Sequence, residues 1–183
     1  MTLYRVGALG LADRRELCLI KNISAGGMMI RAYGTIVRGE RLSVELKCGQ
    51  PVNGIALWCS DQHVGIEFDD KVDVIDLLSG SMSGPHPRMP RIEVDTFAML
   101  REGAKTARVR VCDISQGGAK LRCDTAFPRG CDVVLSIPGL PSVAGLLRWA
   151  EDGFCGITFN RLLALPQLVD FLQDQRERFR ATG

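Results

Sequence analysis

Two short stretches of this 183-residue chain carry residue types suited to holding an anion or a flat ring. The first is Pro87-Arg88-Met89-Pro90-Arg91. Arginine is permanently charged, forks bidentately onto phosphate oxygens and lays its plane on aromatic rings. The prolines stiffen the arm and so limit the entropy lost when it folds over a ligand. The second stretch is Asp113-Ile114-Ser115-Gln116-Gly117-Gly118. A carboxylate, a hydroxyl and bare glycine backbone make a polar notch. Such a notch can accept the N1 and N2 hydrogens of a guanine and let a flat base approach the chain. Each stretch also has a purely structural reading. The arm reads as a charged linker, and the notch as a bulged hairpin whose aspartate and serine cap their own turn while glycine supplies a positive φ.

The elements that must position these residues follow from a repeat. Asn22-Ile23-Ser24-Ala25-Gly26-Gly27 matches the second stretch at an offset of 91, since 113 minus 22 is 91. The same shift carries Arg38-Gly39 onto Arg129-Gly130, and Val52, Gly54 and Trp58 onto Val143, Gly145 and Trp149. It also carries Gly65-Ile66-Glu67-Phe68 onto Gly156-Ile157-Thr158-Phe159. Fourteen of the 47 positions from 22 to 68 are identical, with no gap. A tandem duplication of about 90 residues results. Within each copy, period-two runs such as Ala107 to Cys112 and Ala119 to Cys123 alternate with turn signals such as Pro128-Arg129-Gly130. Five or six strands at that spacing predict a small antiparallel barrel, not a parallel sheet. A helical tail follows each barrel. The second carries Leu165, Leu168, Val169, Leu172 and Phe179 as its apolar stripe, with Pro166 in the first turn. The first is shorter, about Val72 to Leu78. The expected organisation is therefore a barrel over 1–79, a linker and arginine arm over 80–90, and a second barrel with its long helix over 91–183.

Composition narrows the function. Twenty-three basic against 21 acidic residues give a net charge of +2, so no global field gathers a nucleic-acid polymer, and any anion site is local. Trp58 and Trp149, ending matched strands, are expected in the cores. His63 and His86 lie off the duplicated frame and at no metal-ligand spacing, which predicts neither a metal site nor a catalytic base. No lysine-bearing phosphate loop or nucleophile elbow occurs. The longest uncharged run, Val133 to Leu147, is too short and too broken by proline for membrane insertion. Seven cysteines without a CxxC pair, behind an N-terminus that makes a poor signal peptide, predict reduced thiols and a cytoplasmic location.

Together, the arginine arm, Asp113-x-Ser115-x-x-Gly118, the Gly145-x-x-x-Trp149 strand and the closing Gly156-Ile157-Thr158-Phe159 resemble the PilZ domain. The resemblance covers both copies. It implies a mainly β fold of two tandem six-stranded antiparallel barrels, each followed by a helix. It also implies binding of the bacterial second messenger cyclic di-GMP, with no cofactor and no catalysis. By that resemblance Arg91, with Arg88 on the same arm, meets phosphate and stacks on guanine, while Asp113, Ser115, Gly117 and Gly118 form the second element. The family pattern places its other arginine four residues before Arg91, where this chain has Pro87. In the first copy the position matching Arg91 falls before Met1; a first hairpin five residues shorter would bring Arg5 there. Arg5, Asn22, Ser24 and Gly27 thus form the weaker candidate site. The alternative is an adaptor that keeps the barrels, binds no nucleotide and acts through a protein partner or as a homodimer.

Overall fold

The computed structural model describes residues 1–46, 51–79 and 89–182. The chain divides into two compact units, Met1–Pro90 and Arg91–Gly183. The first contains β1 (Thr2–Gly10), β2 (Arg15–Ser24), β3 (Gly27–Arg31), β4 (Arg41–Glu45), β5 (Pro51–Ser60) and β6 (His63–Phe68), then α1 (Val74–Ser79). The second contains β7 (Ile92–Glu102), β8 (Lys105–Ser115), β9 (Gly118–Arg122), β10 (Asp132–Ser136), β11 (Val143–Glu151) and β12 (Phe154–Phe159), then α2 (Leu165–Thr182). Each sheet is antiparallel and closes into a barrel, in the orders β1-β2-β3-β6-β5-β4 and β7-β8-β9-β12-β11-β10. Strands this short have one apolar face each, and closure buries that face while leaving no unpaired edge. The inward rows are Leu9, Ile20, Ile23, Ile30 and Val44 in the first barrel, and Leu100, Ile114, Leu121, Leu135, Leu147 and Ile157 in the second.

The offset of 91 holds in the register as well as in the sequence. Thr2 pairs with Asn22 as Glu93 pairs with Asp113, and Gly10 with Arg15 as Arg101 with Thr106. The first hairpin is therefore not five residues shorter, and the counterpart of Arg5 is Thr96, not Arg91.

Matched β-bulges set which way the side chains face. Lys21 in β2 and Cys112 in β8 have no partner across the next strand, and neither do Leu57 in β5 and Arg148 in β11. Side chains alternate along a strand, so one extra residue reverses every face beyond it. In β8 the inward row runs Ala107, Val109, Val111; after Cys112 it resumes at Ile114, which leaves Asp113 off the core.

The bulges at Leu57 and Arg148 also correct the tryptophan assignment. Trp58 and Trp149 are 41% and 38% exposed on the outer faces, not in the cores. Each indole covers the next strand at Gly65 or Gly156, where a Cβ would run into its Nε1. The expected stripe of α2 holds for Leu168, Val169 and Leu172, joined by Phe171 and Gln175, but Phe179 is 55% exposed. Among the described residues no helix is long and apolar enough to cross a membrane.

Candidate functional site

Asp113, turned off the core by the bulge, meets the residue that precedes β7. Arg91 Nη1 donates to Asp113 Oδ1 at 2.6 Å, and both side chains are partly exposed. Two of the sequence-predicted site residues are thus brought together from positions 22 apart in the chain. An ion pair this open to water stabilises by at most about 1 kcal/mol, so both groups can exchange partners at little cost. Arg88 lies outside the described residues.

The rest of the motif serves the hairpin. Ser115 is buried, and its Oγ donates to the Gly118 carbonyl at 3.2 Å. Gly118 passes so close to β12 that a Cβ would collide with the Ile157 carbonyl oxygen. The Gly117 carbonyl accepts the Phe159 N–H at 2.9 Å. Gln116 clamps the segment leading to α2: its carbonyl accepts the Leu163 N–H, and its Nε2 donates to the Leu163 carbonyl, each at 2.9 Å. The expected positive φ is absent from this turn. Among the described residues the left-handed glycines are Gly39, Gly103, Gly130, Gly139 and Gly153, not Gly117 or Gly118. Close approach, not a special φ, is what requires glycine at 118.

The first barrel repeats the hairpin without the ion pair. Ser24 Oγ donates to the Gly27 carbonyl at 3.1 Å, and the Gly26 and Ala25 carbonyls accept from Phe68 and Val72. Asn22 stands exposed where the second barrel has Asp113. Arg5 does not reach it: its Nη1 donates to the Leu78 carbonyl at 3.0 Å, at the end of α1. At the bulge, Lys21 Nζ lies 4.6 Å from the Tyr4 ring centre, in the places of Cys112 and Asp95.

Sequence reasoning missed a groove of about 440 Å³ on the outer face of the second barrel, lined by Glu93, Asp95, Arg110, Cys112, Arg122, Phe154 and Phe179 among others. It begins one residue from the ion pair, at Cys112, and on the neighbouring strand at Glu93, which pairs with Asp113. Arg110 holds both carboxylate oxygens of Asp95, and those hydrogen bonds keep the Asp95 carboxyl below its usual range. Lys120 Nζ sits 4.6 Å from the Phe154 ring centre. The signal in the sequence is the period-two cations Arg108-x-Arg110 and Lys120-x-Arg122, which alternate with the apolar residues of the same strands.

Solved structures resemble the chain at low identity. The inhibitor of motility of Bacillus subtilis is 14% identical, with all of this chain and 99% of that one covered and a TM-score of 0.40. The PlzA protein of Borreliella burgdorferi, solved with c-di-GMP, is 14% identical over 92% of this chain and 86% of that one, with a TM-score of 0.38. YcgR of Escherichia coli, also solved with c-di-GMP, is 12% identical over 97% and 87%, with a TM-score of 0.36. No curated protein matches the chain in sequence. The sequence profile of the PilZ domain, however, matches it twice, over residues 5–79 and 86–173, and the chain belongs to the PilZ domain family.

Proposed function

We propose that the protein is a cyclic di-GMP receptor, working in the cytoplasm by binding and without catalysis, and that its second barrel holds the ligand. The observation that carries this reading is the Arg91–Asp113 pair at 2.6 Å, whose Asp113 follows Cys112 and pairs with Glu93, both of which line a groove of about 440 Å³. A nucleotide offers each member of the pair a better partner. Phosphate takes the arginine fork, and the guanine N1–H and N2–H groups donate to the carboxylate. The ion pair holds both side chains on the outer face before the ligand arrives, so little side-chain entropy remains to be lost on binding.

The arm that ends at Arg91 also joins the two barrels. Closure of the arm over a dianion therefore reorients one barrel against the other, an ordering switch with no covalent chemistry. Titration of cyclic di-GMP into the full chain by calorimetry tests the reading. Saturable heat that Arg91→Ala abolishes is expected. Absence of heat from the wild-type protein at high micromolar ligand overturns it.

One set of contacts favours the adaptor reading, in which the barrels bind a protein partner or self-associate. Ser115 and Gly118 already have structural roles in closing the hairpin, and Ser24 and Gly27 repeat them in a barrel that lacks the ion pair. On that reading only Asp113 and Arg91 distinguish the second motif from a turn.

A further inference from the structure

The cations of the groove are not equivalent. Arg110 is held by Asp95 through both prongs of its guanidinium. Lys120, just outside, rests its ammonium on the Phe154 ring. Arg122 is exposed and lines the groove, and its guanidinium has no ion-pair or hydrogen-bond partner among the described residues. Its place is fixed by register: it pairs with Arg110 on one side and Phe154 on the other, while Asp113 pairs with Lys120, two residues earlier on the same strand. Strand spacing and rise put its Cα about 8 Å from that of Asp113, within the span of one nucleotide.

We propose that Arg122 and Phe154 form the far half of the nucleotide site, with Arg122 taking a phosphate and Phe154 carrying a guanine ring. The inference rests on the cyclic di-GMP reading and deepens it. A ligand with two phosphates and two purines needs two cationic and two planar or edge-reading contacts. Arg91 and Asp113 supply one of each. An arginine without a carboxylate partner keeps its full fork for phosphate, and an aromatic ring beside it gives a base a face to stack on. The groove volume lies within the range of about 300–1,000 Å³ common for small-molecule sites. Glu93 on the rim adds a second carboxylate able to read a guanine edge.

The test is a calorimetric titration of cyclic di-GMP into the full-length wild type, Arg122→Gln and Phe154→Leu, with thermal unfolding of each as the fold control. Arg122→Gln removes an exposed charge and leaves the core intact; it is expected to weaken binding about 10- to 100-fold without moving the thermal transition. The binding that remains loses part of its salt sensitivity, because one phosphate contact is gone. Phe154→Leu keeps an apolar side chain and loses the stacking face, and a weakening of about tenfold is expected. A wild type that binds and an Arg122→Gln variant with the same Kd overturn this inference and leave the receptor reading standing. A wild type that does not bind overturns both.

Discussion

Neighbouring glycines in the β2–β3 hairpin are expected to respond to alanine in opposite ways. At Gly27, an added Cβ falls under 3.0 Å from the Ile66 carbonyl oxygen, whereas ordinary contact begins at 3.4 Å. The obstacle is backbone in a paired strand, so β6 must move or lose its register with β3, where Gly27 pairs with Glu67. Overpacking costs about 1–3 kcal/mol, and a fixed backbone atom puts Gly27→Ala at the upper end, about 3 kcal/mol. For a domain of this size each kcal/mol lowers the Tm by about 4–8 °C, which gives a fall of about 12–24 °C in the first barrel's transition. Gly26 has nothing within 4 Å of its would-be Cβ and no left-handed φ. Gly26→Ala should leave the Tm unchanged or raise it by reducing the freedom of the unfolded chain, worth about 0.4–1 kcal/mol. Gly118→Ala, facing the Ile157 carbonyl, should match Gly27→Ala in the second barrel. Differential scanning calorimetry reads all three. If Gly118→Ala keeps the wild-type Tm and yet loses nucleotide binding, the glycine acts on the ligand and the close-approach reasoning is wrong.

Further expectations concern the thiols, the tryptophans and the arm. Burial pushes the Cys18 and Cys155 thiols up to about 12. Unfolded thiols ionise from about pH 8.5, so stability present below that pH should fall progressively towards pH 12, read as a falling urea midpoint that Cys155→Ala makes less steep; a flat profile refutes this. Gly156→Ala should lift Trp149 from its seat and shift its fluorescence to the red, measured in a Trp58→Phe background so that one indole reports; unchanged emission means the ring never depended on the glycine. Pro87→Arg should tighten cyclic di-GMP binding about tenfold by adding a charge-assisted contact, and an unaltered Kd in the titration shows that the arm does not lack a cation.

The duplication and the strand content were legible because they depend only on spacing and alternation. The offset of 91 needs no knowledge of pairing, and turn signals delimit strands whatever their register. Side-chain direction was less legible. Trp149 reads as core from its place at the end of an apolar strand, but Arg148 has no partner in β12 and the face reverses there. Phe179 continues the spacing of Leu168 and Leu172, yet it reaches the rim of the groove instead of the core. The pairing of Arg91 with Asp113 was expected as two halves of a motif and is found as one ion pair. Arg122 is not distinguished in the sequence from any cation on a strand's wet face; what sets it apart is that its neighbours Arg110 and Lys120 are engaged by Asp95 and Phe154.

The matched bulges bear on how the two halves have diverged. Most positions between 22 and 68 differ from their counterparts, yet not one residue has been gained or lost. Substitution on a strand alters a single side chain. Insertion or deletion within a regular stretch exchanges inside for outside along everything up to the next irregularity, so losing Arg110 would turn Val111 from the core towards water. The barrels have thus been free to change their letters but not their count, and a homologue of this arrangement is better sought by the distances between its glycines than by the residues that lie between them.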